Sequence, residues 1–318
     1  MKVLITGGGG FAGSHLTEYL LAQGQEVVAL LAPQEEVENL NHILARVRVE
    51  RADLRDAERL SEVLRETSPQ RIYHLAALSS PVESLQDPRL TYEVNFVGTL
   101  NLLLAWRQLQ MDCRLLYVSS SDVYGPVREE DLPLREDTPL RPANPYAGSK
   151  AAGEMLAFQF WRSYGMPIVR VRPFNHTGPR QSSNFVCSSL ARQVAEIDLG
   201  LRPPIVSVGN LEIKRDFSDV RDIVRGYHLL LEKGTPGEVY QLCSGHVVSI
   251  RAVLQIVCAL VSKGVQVAVE ERGMRAQEAP AAWGDATKAR NAVGWTPEGT
   301  LEATLQDLKI YWEEKIRT

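Results

Sequence analysis

Apolar and polar positions alternate in two rhythms over the first half of the chain. Short, mostly apolar runs fall at KVLIT (2–6), EVVALL (26–31), VRVERADL (47–54), RIYHLAAL (71–78), RLLYVSS (114–120) and PIVRVRPF (167–174). Runs of this length predict strands buried on both faces. Between them, residues 10–24, 56–67, 95–110 and 147–165 carry apolar positions at helical spacing, the first ending at Gly24 as a C-terminal cap. Strand and helix repeated this often predict a parallel sheet with helices on both sides, a doubly wound α/β fold. After Pro173 the rhythm breaks. Pro203-Pro204 and irregular stretches follow, and GEVYQLCSG (237–245) reads as one further strand. The expected organisation is a sheet domain at 1–173 with return segments near 209–242, and a smaller, partly discontinuous C-terminal lobe at 174–318.

Two of the predicted helices are apolar on more than one face. They carry Leu102, Leu103, Leu104 and Trp106 in one, and Met155, Phe158, Phe160 and Trp161 in the other. One stripe must cover the sheet. The other is buried under the second lobe or pairs with a second copy, and a homodimer is the expectation.

Composition acts mainly by exclusion. Of 318 residues, 44% are hydrophobic and 23% charged, and the net charge is -4, so no nucleic-acid surface is expected. The four cysteines, at 113, 187, 243 and 258, show neither CxxC nor metal-ligand spacing. They read as reduced thiols of a cytoplasmic protein, and no metal is expected. The apolar run after Met1-Lys2 is a first strand, too short for a secretory signal, and no stretch predicts a membrane span.

Candidate chemistry begins with TGGGGFAGSHL (6–16), where Gly7, Gly10 and Gly13 follow a strand and open a helix. Gly7 permits a tight turn, Gly10 lets the backbone approach a pyrophosphate, and Gly13 lets helix and strand pack closely. The helix N-terminus adds free N–H groups and partial positive charge. This predicts a Rossmann fold that binds a dinucleotide. The second strand ends Leu30-Leu31-Ala32-Pro33-Gln34, with neither the acid that would select NAD nor the arginine that would select NADP. The cofactor is NADP or NAD, and NADPH is the favoured expectation. Asp53, with Leu54, follows the third strand and reads equally as a contact to the adenine amino group or as the N-cap of helix 56–67. Leu75, Ala76 and Ala77 lie where a cofactor would cross the sheet edge.

NPYAGSK (144–150) places Tyr146 and Lys150 on one helical face. An ammonium near a phenol favours the phenolate and lowers its pKa. Together with the glycine loop and the serine cluster SSSDVYG (119–125), the sequence resembles the extended, nucleotide-sugar-modifying branch of the short-chain dehydrogenase/reductase superfamily. The resemblance spans TGxxGFxG with Phe11 and Ala12, DLRD (53–56), HLAA (74–77), NxxGT (95–99), YxxxK and RPFNHTGPRQ (172–181). It implies that Tyr146 is the general acid/base, that Lys150 lowers its pKa and holds the nicotinamide ribose, and that Ser120 orients the substrate carbonyl or alcohol. Asn95 resembles the asparagine that steadies the active-site helix and a proton-relay water.

The resemblance also implies a GDP-sugar substrate. Ser121 and Asp122 lie beside it, and Asn175, Asn184, Val186, Arg215, Arg275 and Glu278 hold the nucleotide-sugar. Arginines suit a diphosphate, and a carboxylate can accept both ribose hydroxyls. His176 reads as a structural histidine at least as readily as a ligand. Relatives further imply that a dimer would form through a four-helix bundle.

Asp122 separates two enzymes of this branch. GDP-mannose 4,6-dehydratases carry a glutamate there as an extra base, whereas 4-keto-6-deoxy reductases need only hydride delivery to C4 and a proton. Aspartate is about 1.5 Å shorter in reach, and misplacement of that order costs on the order of a hundredfold. The preferred reading makes Asp122 a turn residue. The expected activity is NAD(P)H-dependent reduction of the C4 ketone of GDP-4-dehydro-6-deoxy-D-mannose to GDP-D-rhamnose. Alternatives are the 4,6-dehydratase, a nucleotide-sugar 4-epimerase and, in another class, a non-catalytic NAD(P)-binding regulator.

Overall fold

The computed structural model describes residues 1–261, 264–270 and 280–317. Its strands are β1 (Lys2–Thr6), β2 (Glu26–Leu31), β3 (Arg48–Arg51), β4 (Arg71–His74), β5 (Arg114–Val118), β6 (Ile168–Pro173), β7 (Asn175–Thr177), β8 (Ile205–Val208), β9 (Lys214–Asp219), β10 (Val239–Leu242), β11 (Val247–Ser249), β12 (Gln266–Val269) and β13 (Ala281–Ala282). The helices are α1 (Phe11–Ala22), α2 (Ala57–Thr67), α3 (Pro81–Gln86), α4 (Pro88–Tyr92), α5 (Gly98–Leu109), α6 (Pro145–Tyr164), α7 (Val186–Asp198), α8 (Val220–Lys233), α9 (Ile250–Ala259), α10 (Thr287–Val293) and α11 (Leu301–Arg317).

Seven strands form one parallel sheet in the order β10-β6-β5-β4-β1-β2-β3. The continuous apolar runs follow from a sheet with two buried faces. Successive side chains point to opposite sides. Thus Val3, Ile5, Val27 and Ala29 join one core with α1 and α8, while Leu4, Val28 and Leu30 join another with α2, α5 and α6. From β1 the chain winds out to β2 and β3 and then returns, through β4, to build the other half. The crevice beyond the C-terminal ends of β1 and β4 is therefore a topological switch point, where open α/β sheets bind ligands.

A third core, of α7, α9 and α11 with β8, lies in the C-terminal half. Next to it β11, β9 and β13 form a small sheet, with β7 paired to β9. The chain also returns to the large sheet there, because α8 packs in the α1 core and β10 extends that sheet.

Four local expectations are corrected. The third strand ends at Arg51, short of Leu54, and the fourth at His74, short of Leu78. Asp53 does not cap the following helix. Asp56 does, its Oδ1 accepting from the Arg59 N–H at 2.9 Å, while both Asp53 oxygens are engaged by Arg55. Regular helix begins at Gly98 rather than Asn95, because Glu93–Val97 form a π-type turn.

Candidate active site

The glycine loop is built by close approach. Gly7 has φ +70, and a Cβ there would lie 2.9 Å from the Ala76 Cα, across the crevice between β1 and β4. Any side chain at Gly13 would overlap the Gly7 carbonyl. At Gly10, by contrast, a Cβ would meet only the Gly7 oxygen, at 3.4 Å, so the space before α1 is open. Gly10 is the N-cap of α1, and no side chain caps that end. First-turn N–H groups thus face an open cradle of the kind that receives a pyrophosphate. These residues fit a dinucleotide.

Behind the loop runs a chain of buried hydrogen bonds. The Thr99 hydroxyl donates to the Asn95 carbonyl (2.6 Å), so it accepts from His74 Nε2 (2.8 Å). His74 Nδ1 is then the acceptor for the Thr6 hydroxyl (2.7 Å), which itself accepts the Ala76 N–H at 3.2 Å. One neutral tautomer satisfies every group. Burial, aided by the Lys150 charge, lowers His74 to about 3 and keeps it neutral. The chain ties β1, β4 and α5 together beneath the crevice.

Asn95 links this scaffold to α6. Its Oδ1 accepts from the Leu78 N–H (2.7 Å), and its Nδ2 donates to the Leu78 carbonyl (3.0 Å) and to Ser149 Oγ (2.9 Å). Ser149 in turn donates to the Tyr146 carbonyl at 2.8 Å. The π-type turn aims Asn95 inward, as such turns do at functional sites.

Asn144 caps α6 by accepting from the Ala147 N–H (2.8 Å), and Pro145 occupies the first turn, so Tyr146 stands at the helix start. Its hydroxyl is hydrogen-bonded to Ser120, at the C-terminal end of β5. Withdrawal from water pushes the phenol above its ordinary value; the Asp122 carboxylate adds to this, and the Ser120 bond opposes it. The expectation that Lys150 lowers the phenol's pKa is thus not met in this structure, where the phenol is raised. Burial, and after it the Asp122 carboxylate, set the direction.

Lys150 is only 4% exposed, with Nζ 5.0 Å from the centre of the Tyr117 ring. Burial lowers it to about 8, and Glu154 opposes that shift. Glu154, one helical turn further on, is fully buried and ion-paired with Arg172 at 2.6 Å. Arg172 also donates to Tyr124 Oη (2.7 Å) and the Glu136 carbonyl (2.9 Å). This network under α6 was not among the sequence expectations. Its only signal is an acid four residues after the lysine.

Ser120 Oγ accepts the Asp122 N–H at 3.1 Å and so caps the turn Ser121–Tyr124. The turn-forming hydroxyl seen here is therefore that of Ser120, while the Asp122 carboxylate is near enough to act on Tyr146. Ser121 lies half-buried in the same turn.

The other expected residues disperse. Phe11 stacks on His176 (ring centres 5.7 Å apart), and His176 Nδ1 bonds the Phe174 carbonyl (2.9 Å), a structural role. Asn175 is paired in register with Phe217, two residues from Arg215 on β9. Arg215 Nη1 donates to the Lys214 carbonyl at 2.8 Å. Asn184 is exposed and Val186 starts α7. Leu54 is buried beneath Gly98, and Ala12, Leu75 and Ala77 are half-buried near the crevice. Arg275 and Glu278 lie outside the described residues. Among the described residues no group of three or more His, Cys, Asp or Glu is placed to hold a metal, and no helix is long and apolar enough to cross a membrane.

A phenol bonded to a serine, one helical turn from a buried ammonium and at the edge of a dinucleotide crevice, is the chemistry of extended short-chain dehydrogenases/reductases. Comparison with known proteins narrows this: the family model for GDP-mannose 4,6 dehydratase matches residues 4–308, and the chain belongs to that family. It is 34% identical over 316 residues to GDP-6-deoxy-D-mannose reductase of Pseudomonas aeruginosa, covering 99% of this chain and 98% of that one. It is 30% identical to GDP-mannose 4,6-dehydratase of Vibrio cholerae, covering 97% and 94%. Among solved structures it is similar to RMD from Pseudomonas aeruginosa complexed with NADPH (TM-score 0.88, 34% identity, 99% of each chain). It is also similar to the UDP-glucose 4-epimerase of Thermus thermophilus in complex with NAD (TM-score 0.86, 32% identity, 98% and 99%).

Proposed function

We propose that the protein reduces the C4 ketone of GDP-4-dehydro-6-deoxy-D-mannose to GDP-D-rhamnose. The observation that carries this is the Tyr146 phenol, held protonated and hydrogen-bonded to Ser120. A ketone reductase needs a proton donor at the carbonyl oxygen, and a phenol pushed above its ordinary value is one. Ser120 is positioned to donate a hydrogen bond to the same oxygen as negative charge develops on it. Bound NAD(P)H would supply the hydride to C4. Gly7, Gly10, Gly13, Phe11 and Ala12 would hold its pyrophosphate, Asp53 and Leu54 the adenine, and Lys150 the nicotinamide ribose.

In this reading residues 1–173, with β10 and α8, form the dinucleotide domain, and the remainder supplies the GDP-sugar contacts. Asn175, Asn184, Val186 and Arg215 belong to those contacts, with Arg275 and Glu278. The protein acts in the cytoplasm as a homodimer.

The effect of Asp122 on Tyr146 favours one second reading, the 4,6-dehydratase, which needs a carboxylate near the catalytic tyrosine. Product analysis separates the two. Incubated with GDP-mannose alone, the protein should form no 4-keto product. Given GDP-4-dehydro-6-deoxy-mannose and reduced dinucleotide, it should oxidise one dinucleotide per GDP-rhamnose formed. Tyr146→Phe should lower kcat by about 10²–10⁴-fold with little change in KM. A 4-keto product from GDP-mannose alone would replace the reductase by the dehydratase.

A further inference from the structure

The dinucleotide preference has an origin that the order of residues conceals. The end of β2 carries no acid, yet the chain turns back just beyond it. The Glu35 N–H donates to the Ala32 carbonyl (3.1 Å), and Glu35 Oε2 accepts the Ala32 N–H (3.0 Å). This paired bond folds the Glu35 side chain back over the glycine loop. Its Oε1 lies 2.9 Å from where a Cβ on Gly9 would stand. Among the described residues Oε1 has no hydrogen-bond donor, so it is an acceptor aimed at the loop between β1 and α1. In a sheet of this topology the adenosine ribose lies beside that loop at the end of β2, and an acid there bonds its 2′-hydroxyl.

The surroundings point the same way. A cleft of about 460 Å³ opens beside Glu35, lined also by Gln34, Glu36, Glu38, Asn41 and Arg51. Arg51 is the one cation in that lining. Its Nη1 is already committed to the carbonyls of Ala32 (3.0 Å), Pro33 (2.9 Å) and Glu35 (2.8 Å), where it stiffens the turn. A 2′-phosphate entering there would meet three carboxylates.

We infer that Glu35 is the specificity-determining residue for the dinucleotide: it accepts the adenosine 2′-hydroxyl and rejects a 2′-phosphate, so that the protein prefers NADH to NADPH. This rests on the dinucleotide reading of the site and reverses the sequence expectation of NADPH.

The test is calorimetric titration of the whole protein with NADH and with NADPH, independent of turnover. Wild type should bind NADH at least about tenfold more tightly. Glu35→Gln keeps the size of the side chain and its bond to Ala32 while removing the charge. It should weaken NADH, strengthen NADPH and move their ratio by about tenfold or more toward NADPH. Glu26→Gln, at the opposite end of β2 and outside the cleft, should leave the ratio within about twofold, and thermal midpoints will show whether each variant is folded. Equal or tighter NADPH binding by wild type, an unchanged ratio in folded Glu35→Gln, or an equal shift in Glu26→Gln would overturn the assignment and leave the dinucleotide site standing. Failure of wild type to bind either dinucleotide would remove both.

Discussion

At the scale of single residues the site turns on two protonation states. Tyr146 is pushed up and stays a phenol through the neutral and mildly alkaline range. Lys150, lowered by burial to about 8, is an ammonium below that pH and a neutral amine above it. Chemistry that uses the ammonium to hold ribose hydroxyls is thus complete at lower pH and fades as pH rises through about 8. The expected kcat/KM for reduction is flat from about pH 6 and falls above about 8, one limb only. Lys150→Arg carries a charge that persists, so the variant, though slower, should lose that limb. A wild-type profile level to about pH 10, or an identical limb in the variant, would contradict this. The Tyr-Lys pair is legible in sequence because both residues sit on one helix, where spacing alone sets geometry. The balance of shifts is not. It depends on Asp122, from another loop, and on burial, and neither leaves a periodic trace. Glu35 is hidden for a similar reason: a reverse turn, not the strand pattern, returns it to the glycine loop.

At the scale of elements, α6 is both scaffold and part of the site. Asn144 caps it and Pro145 presets its first turn, the arrangement favoured at helix starts. Hydropathy places the helix at 147 because Asn-Pro reads as loop. The capping chemistry extends it to Pro145 and so brings Tyr146 inside the ordered turn. Loss of the cap should therefore be felt at the phenol. Asn144→Ala is expected to cost about 1 kcal/mol of stability and to lower kcat several-fold more than it alters KM, because the first turn frays while the binding lobe is untouched. Asn144→Ser should restore both, since a serine hydroxyl can accept the same N–H. Lost stability with unchanged kcat would show that Tyr146 is held by the Asn95–Ser149 bridge alone. The strands are readable for another reason. Two buried faces demand apolar residues at nearly every position, and four of the six runs match their strand to within two residues at each end. The third runs on into Ala52–Leu54, where Ala52 and Leu54 are buried without strand pairing, and the fourth runs past His74 to Leu78.

At the scale of the molecule, the apolar residues of α5 and α6 divide as two surfaces. Leu102, Leu103, Trp106 and Phe160 are buried against the sheet, whereas Leu104 is 43% exposed, Met155 45% and Phe158 38%. Val97, just before α5, and Leu104 within it are exposed, and Met155 and Phe158 lie three apart on α6. Exposed apolar stripes on two neighbouring helices suit a two-fold pairing in which each helix meets its copy. Nearby cations have already turned toward the rings: Arg170 sits 4.8 Å above Phe158 and Arg107 4.0 Å above Tyr164. A competing surface exists on β12, whose Val267 and Val269 are 47% and 54% exposed and which among the described residues pairs with one strand, β8. Sedimentation equilibrium decides between them. Wild type should be a dimer. The double change Leu104→Lys and Met155→Lys should give monomers, because four like charges would face one another across the two-fold axis. Val267→Lys should leave the mass unchanged. Dissociation by Val267→Lys, with the helix variant still dimeric, would transfer the interface to the edge strand. A monomeric wild type would mean that neither stripe binds a copy of this chain.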